Sequence, residues 1–104
     1  MVNAKYKELS DLLGKPKTLQ TGFSLGGPYA SHVFDLNKWR PTDYCVGGPL
    51  RNTLMNAEGR EIARLGGPLR SWFMIDGKHT GYFLGGAFGR MIMYEKCRDE
   101  FAQR

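Results

Sequence analysis

Apolar and polar residues alternate along most of this chain, and the alternation is interrupted at regular intervals by paired glycines. Four stretches share one 15-residue arrangement: a five-residue run, Gly-Gly-Pro (Gly-Gly-Ala in the last), then a seven-residue run. They read TGFSL-GGP-YASHVFD from Thr21, TDYCV-GGP-LRNTLMN from Thr42, EIARL-GGP-LRSWFMI from Glu61 and TGYFL-GGA-FGRMIMY from Thr80. Alternation with a period of two is the signature of a strand with one face buried. A single unit cannot bury its apolar side alone, so the copies are expected to stack against one another. Short polar connections containing glycine, at 57–60 and 76–79, join apolar runs as hairpin loops do, and 36–41 forms a longer connection.

The expected fold is mainly β: an antiparallel meander of the four Gly-Gly-Pro units over residues 18–94, closed or strongly coiled, with a short helix at each end. Proline donates no ladder hydrogen bond, so Pro28, Pro49 and Pro68 exclude a flat central strand. Each Gly-Gly-Pro is then either a turn, giving eight short strands, or a kink in four long bent ones. Residues 3–13 form the first expected helix, with Asn3 as N-cap, Tyr6, Leu9 and Leu12 or Leu13 on one face, Gly14 as C-cap and Pro16 beyond it. Residues 94–104 form the second, with Tyr94, Cys97 and Phe101 on one face.

One face of the units is nearly apolar. It contains Tyr29, Leu50, Leu69 and Phe88 just after the Gly-Gly-Pro or Gly-Gly-Ala, then Val33, Leu54, Phe73 and Ile92, and before the glycines Leu25, Val46, Leu65 and Leu84. All twelve are expected in the core. A polar row of Ser31, Asn52, Ser71 and Arg90 interrupts that face, either bonding to irregular backbone or lining a ligand pocket. The opposite face carries His32, Thr53, Trp72 and Met91, flanked by Phe34, Met55, Met74 and Met93. Under the terminal helices these would be a second core layer. Left open, His32, Trp72, Met74, Met91 and Met93 would be an interface for a protein partner or for another copy in a homo-oligomer.

Length fits a single domain, 1–104, able to bury somewhat over about 60% of its unfolded surface. Fourteen glycines exceed the usual share of about 7%, and eight of them are the four pairs. A formal net charge of +5 favours anionic partners. Cys45 and Cys97 lie in unrelated settings and read as two reduced thiols, which points to the cytoplasm. The N-terminus lacks a signal-peptide pattern and no run of 18 apolar residues occurs, so no membrane partner is expected.

Successive glycines can turn their amides toward one point and so make a nest for phosphate or carboxylate. Arg51 and Arg70 follow identical Gly-Gly-Pro-Leu sequences, and arginine suits bidentate phosphate recognition. Gly47, Gly48, Arg51, Gly66, Gly67 and Arg70, with the polar row, are therefore candidate ligand-binding residues. Trp39 joins them because Lys38 and Arg40 bracket an aromatic ring able to stack on a base. His32 and His79 have no neighbours at metal-ligand spacing, so no metal or other cofactor is expected. Asp43 beside Tyr44 and Cys45, and Asp76 near His79, read as turn and strand residues rather than catalytic groups, so no enzyme is expected. The segment DGKHTGYF resembles the turn of a MORN repeat, but the Gly-Gly-Pro units depart from that family and no function follows. The function expected is a non-catalytic binding module for an anionic, phosphate-bearing ligand, a nucleotide or nucleic acid. A protein-interaction module, such as an inhibitor or assembly subunit, and a lectin-like carbohydrate binder are the alternatives.

Overall fold

The structure, a computed structural model, describes residues 3–14, 16–26, 31–67 and 69–96. Helix α1 (Ala4–Leu13) begins where the Asn3 side chain accepts hydrogen bonds from the amides of Lys5, at 2.9 Å, and Tyr6. It stops at Gly14, whose φ of 72° brings its amide onto the Ser10 carbonyl. Eight strands follow: β1 (Gln20–Leu25), β2 (His32–Asp35), β3 (Arg40–Gly47), β4 (Thr53–Met55), β5 (Glu61–Gly66), β6 (Trp72–Ile75), β7 (Lys78–Gly85) and β8 (Met91–Tyr94). Each pairs antiparallel with the next, and β8 returns to β1, closing a barrel in chain order. Closure removes the open edges that a free meander would expose.

Curvature comes from breaks in register at four of the eight ladders: β1 with β8, β2 with β3, β4 with β5, and β6 with β7. Such irregularities bend and twist a strand locally, which a closed barrel needs. Threonine hydroxyls support three of these sites. Thr21, Thr42 and Thr80 donate to the carbonyls of Ile92, Val33 and Phe73 at 2.9, 2.7 and 2.8 Å. Each hydroxyl oxygen in turn accepts from the amide two residues on, that of Phe23, Tyr44 or Tyr82. At Glu61, in place of a fourth threonine, the carboxylate instead forms a two-point ion pair with Arg64.

Eight strands enclose a space that side chains can fill. Val33, Leu54, Phe73 and Ile92 lie fully inside, as expected, with Ile62, Ile75 and Tyr82. Leu65 is buried with them, while Leu25, Val46 and Leu84 pack partly buried against that core. Helix α1 adds Tyr6, Leu9 and Leu13 to the same cluster. Its polar side is tied to β3 and to the β4-β5 connector at one end of the barrel, where Glu8 accepts from Tyr44 Oη at 3.1 Å, Asn56 Nδ2 at 3.2 Å and Arg60 Nη2 at 2.8 Å. Tyr82 Oη donates to the Gly14 carbonyl at 2.9 Å. That end also holds the two-residue turn Asp76-Gly77, whose φ values of 53° and 79° match the twist of a tight hairpin.

Two sequence expectations need correction. Leu50, Leu69 and Phe88 are not core: they are 70%, 84% and 89% exposed. Each is at the apex of a turn rather than on a strand, so the two-residue alternation that would point it inward does not apply to it. Tyr29 lies outside the described residues. Tyr94 does not open a helix but ends β8, and the Glu95 amide still bonds to the Gly81 carbonyl. The rest of that expected helix, from Cys97, lies outside the described residues. Helix α1 buries its apolar side in the barrel core, so it does not form a layer over the outer strand face.

Candidate functional site: the glycine end of the barrel

Antiparallel order places the hairpins β1-β2, β3-β4, β5-β6 and β7-β8 at the barrel end opposite α1. Three of their tips are described, and all three have one backbone pattern. The Gly48 carbonyl accepts from the Arg51 amide at 3.1 Å, and Gly67 with Arg70 and Gly86 with Gly89 repeat the bond at 3.2 Å. These are β-turns with Pro49 or Ala87 second and Leu50, Leu69 or Phe88 third. The first residue has φ of 87°, 83° or 81°, and the fourth 54° at Arg51, 53° at Arg70 and 66° at Gly89. Two arginines thus hold a left-handed backbone that Gly89 adopts without strain.

Glycine is required at these tips by close packing as well as by φ. A Cβ on Gly67 would stand 3.1 Å from the Trp72 ring, and one on Gly86 2.8 Å from Met91 Cγ. Gly47, at the end of β3, is similarly covered by Met55, whose methyl would be 2.9 Å from a Cβ. The outward side chains therefore lie down over the glycine pairs. That supplies a packing reason for the glycines, and it shifts the weight of any anion site onto the arginines.

Arg51, Arg70 and Arg90 are all exposed at this end. Among the described residues none of them has a carboxylate within ion-pair distance; the arginine ion pairs seen are Arg60 with Glu8 and Arg64 with Glu61. Arg70 Nη2 reaches the Leu50 carbonyl of the neighbouring tip at 3.3 Å, and Arg90 Nη1 reaches the Leu25 carbonyl at 3.4 Å. These contacts tether the guanidinium groups without neutralising them.

The polar row lies just behind the tips. The carbonyls of Ser31, Asn52, Ser71 and Arg90 accept from the amides of Val46, Leu65, Leu84 and Leu25, each at 2.7 Å, running once around the barrel. Asn52 Nδ2 also donates to the Leu65 carbonyl at 3.3 Å. Gly47, Gly48, Arg51, Asn52, Gly66, Gly67, Arg70, Ser71, Ser31 and Arg90 thus share one end. Trp39 does not join them. It sits in the β2-β3 connector at the other end, 73% exposed, with φ of 56° and its ring edge-on to Phe34 at 5.2 Å.

His32, Trp72, Met74, Met91 and Met93 occupy the outer barrel face and are half-buried. Trp72 stacks nearly flat on His79, with ring centres 4.3 Å apart, and its ring also lies close to Gly67. Tyr44, by contrast, is a structural group: burial first, and then its hydrogen bond to Glu8, push its phenol above the ordinary value of 10.0. Among the described residues no group of three or more His, Cys, Asp or Glu could hold a metal ion, and no helix is long and apolar enough to cross a membrane.

Sequence reasoning missed Leu50, Leu69 and Phe88 as surface groups. The signal was present: if Gly-Gly-Pro is a turn, the residue after proline is its third residue and belongs to the tip. Comparison of the chain with protein-family models, curated proteins and solved structures finds no match.

Proposed function

We propose that the protein is a non-catalytic binding module that holds a phosphate-bearing or otherwise anionic ligand, of the nucleotide or nucleic-acid kind, at the glycine end of its barrel. The supporting observation is the set of Arg51, Arg70 and Arg90 at one end, without carboxylate partners among the described residues. Like charges gathered in this way raise the local potential and favour an anion between them. We read the four Gly-Gly units of the sequence as copies of one element, of which the three described tips add to the same surface. The net charge of +5 steers anions toward the molecule, and a free Cys45 thiol accords with a reducing compartment such as the cytoplasm. The Met-rich outer face gives less support to a protein-interaction module, because Met55, Trp72 and Met91 are already laid over glycines.

The test is fluorescence anisotropy with a labelled single-stranded oligonucleotide across a salt series. Binding should weaken as salt rises, and Arg51→Ala with Arg70→Ala should reduce the log–log slope by about 1.4. Unchanged affinity and slope in the double variant would contradict the reading.

A further inference from the structure

The glycine end is cationic, and it is also apolar at its outermost points. Leu50, Leu69 and Phe88 are the most exposed large apolar side chains apart from Trp39 among the described residues, and each is the third residue of a tip turn. Arg51 and Arg70 directly follow two of these residues, and Arg90 lies two positions beyond the third. The chain therefore presents a set of apolar knobs, each with a cation at its base, on one end of a rigid closed barrel. The tips are held at fixed spacing, because the ladders below them are paired on both sides and Arg70 bridges to the Leu50 carbonyl.

The arginines alone suit a nucleic-acid ligand, but the apolar knobs beside them call for a second kind of phosphate surface. A nucleic acid offers flat bases, on which Phe88 can stack but Leu50 and Leu69 cannot. A second copy of the same end would bring arginine against arginine. An anionic bilayer satisfies both halves at once: its phosphates and carboxylates lie at the surface, and its acyl region, a few ångströms deeper, accepts leucine and phenylalanine.

We infer that the glycine end docks on anionic lipid membranes, with Leu50, Leu69 and Phe88 inserting and Arg51, Arg70 and Arg90 engaging the headgroups. The inference rests on the proposed role of these arginines toward phosphate and names the surface that carries it. Insertion is limited to loop tips and calls for no spanning helix. The chain as a whole stays outside the bilayer.

Co-sedimentation with vesicles of phosphatidylcholine, with and without phosphatidylserine, tests it, run beside the oligonucleotide titration. Binding is expected to the phosphatidylserine vesicles, to weaken in high salt, and to fall about fivefold for each arginine replaced by alanine. The triple variant Leu50→Ser, Leu69→Ser, Phe88→Ser should lose vesicle binding, and the double variant Leu50→Ser, Leu69→Ser, which leaves Phe88 free to stack on bases, should weaken vesicle binding and retain oligonucleotide binding; circular dichroism of both variants should be unchanged, since all three side chains are exposed. Vesicle binding that survives the triple variant overturns the inference. Failure to bind vesicles while an oligonucleotide binds through Arg51 and Arg70 also overturns it, and leaves the anion-binding reading standing. Failure with both probes removes both.

Discussion

Arg51 and Arg70 are held at φ of 54° and 53°, where glycine serves the same turn at Gly89. The turn geometry alone therefore does not call for arginine. Arg51→Gly and Arg70→Gly should leave thermal stability unchanged or raise it by up to about 1 kcal/mol each, while weakening phosphate binding; melting curves and anisotropy read the two effects separately. The opposite holds at the first residue of the tip turn, three positions earlier. Gly67→Val would strain a φ of 83° and press a branched side chain against Trp72, so a loss of about 1–3 kcal/mol is expected in chemical denaturation. Leu69 and Phe73 make a matched pair of another kind. Leu69→Ala removes exposed surface and should cost less than about 0.5 kcal/mol, whereas Phe73→Ala empties a fully buried site and should cost about 3–5 kcal/mol.

At the scale of elements, a single acidic residue gathers three of the polar contacts between α1 and the barrel. Glu8 joins Tyr44, Asn56 and Arg60, so Glu8→Ala leaves the partly buried donors of Tyr44 and Asn56 without that acceptor, and a loss of about 1–3 kcal/mol is expected in thermal melts. The same contact gives a pH dependence. A phenol that titrates higher in the folded chain than in the unfolded one stabilises fully below the unfolded value near 10, and that contribution disappears as pH rises through the folded value. Alkaline melting of the native protein should therefore fall more steeply above pH 10 than that of Tyr44→Phe. The helix itself was legible in the sequence, because Asn3, Gly14 and the Tyr6-Leu9-Leu13 face are local signals that tertiary contacts did not override. The buried positions Val33, Leu54, Phe73 and Ile92 were legible for the same reason, since each lies on the inward face of its own strand even where the facing ladder shifts register. Leu50, Leu69 and Phe88 were misplaced because alternation was continued through a turn, where backbone direction reverses and the period of two has no meaning. The helical spacing of Tyr94 with Cys97 and Phe101 was likewise overridden at its first residue, which the β7 ladder holds extended.

For the whole molecule, closure of the barrel is what sets the three described tips side by side at one end. Sequence order alone predicted that the Gly-Gly elements lie side by side; it did not predict which side chains they offer, because that depends on turn geometry and on the ladders that close β8 onto β1. It also grouped Trp39 with the arginines, as a ring able to stack on a base between Lys38 and Arg40, whereas alternation of hairpin ends puts it at the far end of the barrel. The central claim is that the glycine end, and not the outer face or the α1 end, meets the anionic ligand. Amide chemical-shift mapping by NMR, with a short single-stranded oligonucleotide added to isotope-labelled protein, tests it most directly. Shifts are expected to concentrate at residues 47–52, 66–71 and 85–90 and to weaken with salt. Shifts centred instead on Trp39 and the α1 end, or on the Met74 and Met93 face with the tips silent, would contradict it.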